Sequence, residues 1–439
     1  MEEKIVNPPL EPKKKRVESI DAFRGFTIFA MIFVIQVAGY KHLPLTFPHF
    51  KSAPVSTFKH AAEDGEPEEW AFWEGREPST KYREARILEK HSNRIYDIAL
   101  LDHEGKTEKT FEKAKVMHAR PLDPDDRIIA IMRSSGQKPE FRGIGNGCTF
   151  TDLVAPFFVF IVGLCIPLSR RRRGGEWWKH VGTRTIALII AGVIYISLIL
   201  KLSYWWGILQ AIGIAYFMGA AFMFLKSWKR WIAVAVIAAF HGFMSWHFSW
   251  WLVLGEKGRW FLTVANPGGD PLRPLIVHCT PWASISYGMI TVVGTLLGEA
   301  IVSRDPKKII RQCLLIGIVF TVVGYLLHVY QAPMNKDFVS PSYAVFTSGI
   351  GALCFLGFYL IIDMWGFKGW SWPFKVYGAN ALLAYFMQPV VRIFVVALGF
   401  YGYLKGLSGW EGMWGGFLWT MLLWCVVLWC NKKKIYWKL

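Results

Sequence analysis

Ten stretches of this chain are apolar for close to twenty residues: roughly 19–40, 151–169, 183–200, 205–225, 231–246, 284–302, 309–330, 342–364, 376–398 and 412–430. About twenty apolar residues in a helix cross the hydrocarbon of a bilayer, and ten such runs leave little room for any other architecture. Composition agrees, since 53% of the 439 residues are hydrophobic and 22 are tryptophan. That is too apolar for an ordinary soluble domain. The expected fold class is therefore an all-α polytopic membrane protein.

The flanks of the runs carry the net charge of +18. A soluble chain so basic would suggest a nucleic-acid partner, but here the cations sit in short clusters between apolar runs. KKKR (13–16) precedes the first run, SRRRR (169–173) follows the second, KSWKR (226–230) the fourth and SRDPKK (303–308) the sixth. Lys368 and Lys375 follow the eighth, and NKKK (431–434) follows the tenth. Every second loop is basic, which places both termini in the cytoplasm and makes membrane lipids, not nucleic acid, the expected partners. The stretch 247–283, with its HFSWWLVLGEKGRWFLTV, reads either as an interfacial aromatic segment or as one more span, so ten or eleven helices are expected. No small-residue cleavage site follows the first run, so it is expected to be a retained helix, not a signal peptide. A homo-oligomer is compatible with all of this.

Residues 43–148 interrupt the pattern. They are polar, and by alternation they lie outside. Within them EARILEK, IYDIALLDHEGKTEKTFE, AKVMHARPL and DDRIIAIM alternate like short strands, and His103-Glu104-Gly105-Lys106 reads as a hairpin turn. The expected organisation is a basic cytoplasmic segment (1–18), a first helix (19–42), a small β-rich extracytoplasmic insertion (43–148), a helical bundle (149–430) and a basic cytoplasmic tail (431–439). The seven cysteines are scattered, mostly inside apolar runs, with no CxxC pair. Neither a disulfide framework nor a metal site is expected.

Ionisable residues near spans are costly and therefore informative. Asp21 and Arg24 stand one turn apart at the cytoplasmic mouth of the first helix. They suit a helix start, with Ser19 as cap, Asp21 at the positive dipole end and Arg24 on lipid phosphate. They equally suit the entrance for an anionic cofactor. The block SIDAFRGFTIFAMIFV (19–34), followed by NGCTFTDLVAPFFVFIVG (146–163), resembles the heparan-α-glucosaminide N-acetyltransferase family and its bacterial relatives. PMNKDFVSPSYAVFTSG (333–349) and KVYGANALLAY (375–385) fit the same pattern. GILQAIGIAYF (207–217) fits more loosely, with Ala211 where the family usually has arginine.

The resemblance implies a membrane acyltransferase of the bacterial inner membrane. It would move acetyl from cytoplasmic acetyl-CoA, without a metal, to a glycan or amino-sugar acceptor on the other side. It implies cofactor binding at Asp21 and Arg24. It also implies a catalytic histidine shortly before the Asn146 block. FKHAAEDG (58–65) looks like the upstream half of that stretch, which makes His60 the candidate and His49 its rival. A histidine suits the task because its ordinary pKa near 6.5 lets it take and return a proton, and it can carry an acetyl group itself. The family often has an asparagine near the outer end of the first helix. The aligned residue here is Ile35, and the neighbouring Gln36 offers the same amide donors and acceptor.

Asp152, beginning the second helix beside Thr149, and Asn335 and Lys336, in the outer loop before the eighth, are candidates for binding the sugar. Helix capping and loop solvation are the plainer alternatives. Asn380 and Gln388 share a stripe of the ninth run and are candidates for substrate contact or for bonds between helices. A rival function is a transporter or flippase for a glycan or lipid-linked sugar, with no acyl chemistry.

Overall fold

The computed structural model describes residues 17–37, 57–61, 67–72, 82–92, 95–102, 105–117, 124, 127–131, 148–199, 206–248, 283–331, 334, 336, 339–400, 407 and 409–437. His49, Asn335 and most of the 247–283 stretch lie outside the described residues.

Eleven α-helices are described: α1 (Glu18–Val37), α2 (Phe150–Arg173), α3 (Trp177–Ile199), α4 (Ile208–Ala221), α5 (Ser227–Phe248), α6 (Ala283–Ser303), α7 (Pro306–Tyr330), α8 (Pro341–Tyr359), α9 (Trp372–Ala379), α10 (Ala381–Ala397) and α11 (Gly409–Lys432). Their starts follow local chemistry. Asp305 caps α7 by accepting from Lys307 N at 3.0 Å, and Ser340 caps α8 by accepting from Tyr343 N at 3.4 Å. Each cap is followed by proline at the first helical position, where a missing N–H costs nothing.

Among the described residues six helices are long and apolar enough to cross a membrane, or seven if one bent pair crosses together. The chain is an integral membrane protein. One of the six runs 49 residues from Phe150 to Leu198, which as a straight helix would be about 74 Å, more than twice the hydrocarbon thickness. It breaks at Gly174–Glu176, just after Arg170–Arg173, and the end of α2 and the start of α3 pack around the same end of α4. Ile166, Trp177, Val181, Tyr216, Ala220 and Met223 form that cluster.

Helix α2 packs closely against α6. A Cβ on Gly163 would collide with the Thr291 backbone, and one on Gly294 would stand 2.5 Å from Phe160 O. Small residues let two backbones approach where hydrophobic burial offers no advantage over lipid. Phe23 of α1 joins this core, its ring 5.7 Å from Phe157 and 6.1 Å from Phe355.

The run 376–398 is not one helix. It breaks at Asn380 into α9 and α10, inclined at 73° to each other. Asn380 leaves helical geometry (φ −137°, ψ 47°), and its amide bonds to the C-terminal residues instead. Asn380 and Gln388 therefore do not share a stripe.

Six strands are described within the polar stretch: β1 (Thr57–Ala61), β2 (Pro67–Phe72), β3 (Tyr82–Ser92), β4 (Ile95–Leu101), β5 (Thr107–Met117) and β6 (Arg127–Ile131). They close an antiparallel barrel in the order β1-β2-β6-β3-β4-β5, with β5 returning to β1. Closure removes the exposed edges that a short sheet would otherwise present. The interior holds Ala85, Ile87, Tyr96, Ile98, Leu100, Phe111 and Ala114. Between β4 and β5 the chain turns through Gly105, at φ +79°, with Gly105 N donating to Asp102 O at 3.0 Å.

Candidate functional site

The N-terminal ends of α2 and α8 meet, and Lys336, from the loop between α7 and α8, reaches them. That loop is pinned at its start, where Met334 N donates to His328 Nδ1 at 2.8 Å, and at its end by the Ser340 cap. Between the pins it delivers Lys336, whose Nζ lies 3.7 Å from Asp152 Oδ1. Asp152 is fully buried, while the Lys336 side chain is 17% exposed. The other carboxylate oxygen of Asp152 accepts from Thr149 N at 3.1 Å and from Thr149 Oγ1 at 3.0 Å. Tyr343 donates its hydroxyl to the Asp152 carbonyl. Two residues singled out from the sequence, 184 positions apart, thus form one buried ion pair.

Asp152 serves as a helix-start acceptor and as the counter-ion of Lys336 at once, so capping and site-building are not alternatives here. Cys148 adjoins the pair. Its loss of solvent, and secondarily the Asp152 charge, push the thiol well above the ordinary cysteine range. A thiol so raised stays protonated near neutral pH and is a poor nucleophile. The chemistry available at this end is a fixed ammonium, a buried carboxylate and a tyrosine. The sequence reading missed Tyr343 and His328; the Ser-Pro-Ser-Tyr cap at 340–343 was the available signal.

The other sequence candidates are placed as follows. Gln36 is half-buried on α1 while Ile35 is 43% exposed. The amide, not the position aligned with the family's asparagine, is therefore the more enclosed of the two. His60 lies in β1, in register with Glu68 of the neighbouring strand β2. The stretch TFKHA is thus strand, although no strand is expected from the sequence before Glu84. Asn380 is buried and its amide is engaged: Nδ2 donates to Ile435 O at 2.8 Å and Asn431 Oδ1 at 3.3 Å, and Oδ1 accepts from Trp437 N at 3.0 Å. It fastens the break between α9 and α10 to the chain's C-terminal residues and is not brought to Asp152.

Asp21 and Arg24 sit at the opposite end of the bundle, within an ionic cluster. Arg24 Nη2 donates to Asp21 Oδ1 at 2.9 Å. Glu18 takes Lys368 and Lys375, and its carboxylate holds the Lys368 ammonium above the ordinary lysine range. The start of α1 is capped from elsewhere in the fold: Asp363 accepts from Glu18 N at 3.2 Å and Ser19 N at 3.0 Å. Ser19 does not act as the cap, because a carboxylate from the turn after α8 already satisfies those N–H groups.

On the barrel, His91 Nε2 and Asp97 Oδ1 are 2.8 Å apart, and Lys113 N donates to the same oxygen at 2.7 Å. The bond from Lys113 N, more than the histidine, holds Asp97 below the usual carboxylate range. Glu89 joins them, with ligand atoms of the three residues within 4.8 Å of one another. Glu89 and His91 are exposed, and a surface strand pair gathers such groups without an ion.

No protein-family model matches the chain. Over a 342-residue alignment it is 25% identical to mouse heparan-alpha-glucosaminide N-acetyltransferase. The relationship is a distant one. The alignment covers 56% of this chain and 48% of that protein, so the chain spans about half the length of the curated relative it matches.

Proposed function

We propose that the chain is a ten- or eleven-span acetyltransferase. It takes acetyl from acetyl-CoA at the basic, cytoplasmic end of the bundle and delivers it to a glycan or amino sugar at the opposite end. The observation that carries this reading is the buried Asp152–Lys336 pair. A carboxylate and an ammonium held at one end of a membrane bundle are costly, and such groups mark substrate paths. The alternating basic flanks support an orientation with this end outside, both termini inside and the barrel in the extracytoplasmic space of a bacterial inner membrane.

In this reading Lys336, with Asn335 beside it, binds acceptor hydroxyls, and Asp152 fixes the ammonium that does so. His60, or His49 in its place, takes the proton from the acceptor amine or hydroxyl as it attacks the acetyl carbonyl. It then returns the proton to the departing CoA sulfur, or carries the acetyl group between the two half-reactions. Gln36 supports the histidine through its amide. Arg24, with Asp21, meets the cofactor's phosphates at the basic end.

The experiment gives the purified protein acetyl-CoA and glucosamine and measures free CoA thiol. An acetyltransferase sustains thiol release only when both are present; with acetyl-CoA alone, release stops at one thiol per protein if the histidine carries the acetyl group. Sustained release that does not depend on the acceptor, or no release alongside measurable sugar movement into sealed vesicles, would favour the transporter or flippase.

A further inference from the structure

The end of the bundle that carries Arg170–Arg173 contains a cavity of about 530 Å³ lined by Pro167, Arg170, Arg171, Gly174, Met223, Glu299 and Val302. It lies where α2, the turn after α4 and the last turns of α6 converge. Its cations are fixed by the fold. Arg170 Nη1 donates to Met223 O at 2.7 Å, and its guanidinium lies over the rings of Trp177 (5.4 Å) and Phe224 (5.8 Å). Arg171 Nη1 donates to Val302 O at 3.3 Å. Each bond is to a backbone carbonyl and uses one of five guanidinium N–H donors. Among the described residues no carboxylate pairs with either arginine.

The acid in the cavity wall is already committed. Glu299 forms an ion pair with Arg230, which is completely buried, and it accepts from Ser227 Oγ at 2.6 Å. Arg230 also donates to Thr295 Oγ1 at 2.8 Å. Counting Arg170, Arg171 and Arg230 against Glu299, the cavity and its rear wall carry a net charge of +2. The contrast with Arg24 is direct, because Arg24 is neutralised by Asp21 on its own helix. Beside the cavity, Trp178 stacks on Phe224 at 5.1 Å, and Phe224 is 66% exposed. Aromatic side chains so placed are typical of the level where headgroups meet hydrocarbon.

We propose that this cavity binds a phosphate ester, with Arg170 and Arg171 donating to its oxygens and the aromatic rim covering what the phosphate is attached to. Planar guanidinium groups held in advance are well suited to such an anion. The same chemistry has two sources: the headgroup of an anionic phospholipid, or a soluble nucleotide phosphate. The proposal stands whether or not the protein transfers acetyl groups, because the test contains no acetyl-CoA.

The test uses the full-length protein in detergent, with equimolar palmitoyl-oleoyl phosphatidylglycerol and phosphatidylcholine, read by native mass spectrometry. A second arm titrates adenosine 3′,5′-bisphosphate by calorimetry. The wild type is expected to retain one of the two anions, with phosphatidylglycerol held at least about tenfold over phosphatidylcholine if lipid is the source. Arg171→Gln and the double variant Arg170→Gln/Arg171→Gln should lose that binding about tenfold or more, while Arg170→Lys/Arg171→Lys retains part of it. The lysine pair also keeps the result readable if the glutamine pair folds badly, as does the wild type's own loss of affinity with added salt. Binding in the lipid arm alone assigns a lipid site, and binding in the nucleotide arm alone assigns a soluble ligand. Neither anion bound by the wild type, or binding undiminished in a folded glutamine variant, overturns the proposal.

Discussion

Replacing Asp152 by asparagine tests the ion pair on which the candidate site rests. At 3.7 Å and an effective dielectric constant of about 20, the Coulomb attraction to Lys336 is about 4.5 kcal/mol. Desolvation offsets most of that, since the carboxylate is fully buried and the ammonium is mostly so. A net coupling of about 1–2 kcal/mol remains. Asparagine keeps an oxygen for Thr149 N and Thr149 Oγ1, so the helix start should survive and the loss should report the charge. Alanine should cost about 1 kcal/mol more, because the acceptor goes too. The assay is a double-mutant cycle of Asp152→Asn and Lys336→Met, with unfolding followed in mixed micelles. The double variant is expected to be less destabilised than the sum of the singles by that 1–2 kcal/mol. Additivity to within about 0.5 kcal/mol would show that the two groups do not interact. The loop would then be held without this pair, by contacts such as those of His328 and Ser340. At matched folded fraction, Asp152→Asn should also raise KM for the acceptor more than it lowers kcat. A lower kcat at unchanged KM would move Asp152 from binding to the chemical step.

Other predictions are briefer. His60→Ala should lower turnover by at least about 10²-fold with acetyl-CoA affinity nearly unchanged, and His49→Ala should do much less. Exchanged phenotypes would make His49 the base, and full activity in both would end the histidine mechanism. Arg24→Ala should weaken acetyl-CoA binding about tenfold at low salt, and less as salt rises. Unchanged affinity in a folded variant would leave Arg24 as the partner of Asp21 only. The depressed pKa of Asp97 means that its ionised form stabilises the barrel above the unfolded carboxylate value near 4. That contribution is lost as pH falls from there through the lower folded value. Hydrogen exchange at the Lys113 amide should therefore quicken below about pH 4 in the wild type. Asp97→Asn should remove that acid dependence, and a wild-type profile in the variant would refute the assignment.

Much of the architecture was legible in the residue order. Apolar runs near twenty residues long have one low-energy arrangement in lipid, because helices satisfy their own backbone hydrogen bonds. The caps at Asp305 and Ser340, the turn at Gly105 and the alternating pattern of β3 to β5 are likewise local, set by residues a few positions apart. The pattern of β1 and β2 was not legible, since TFKHA and PEEWAF lack clear alternation and become strands by pairing with each other and with β5 and β6. The same was true of α9 and α10. KVYGANALLAY is apolar enough to continue as one helix, and Asn380 leaves helical geometry where its amide bonds to Asn431, Ile435 and Trp437. The sequence named Asp152 and Lys336 as separate polar residues near helix ends. Their pairing across 184 residues, like the capping of α1 by Asp363 and the gathering of Arg170 and Arg171 around one cavity, needed helices to meet. Sequence spacing constrains neighbours one turn apart, whereas contacts between helices are decided by which small residues, such as Gly163 and Gly294, let two backbones approach.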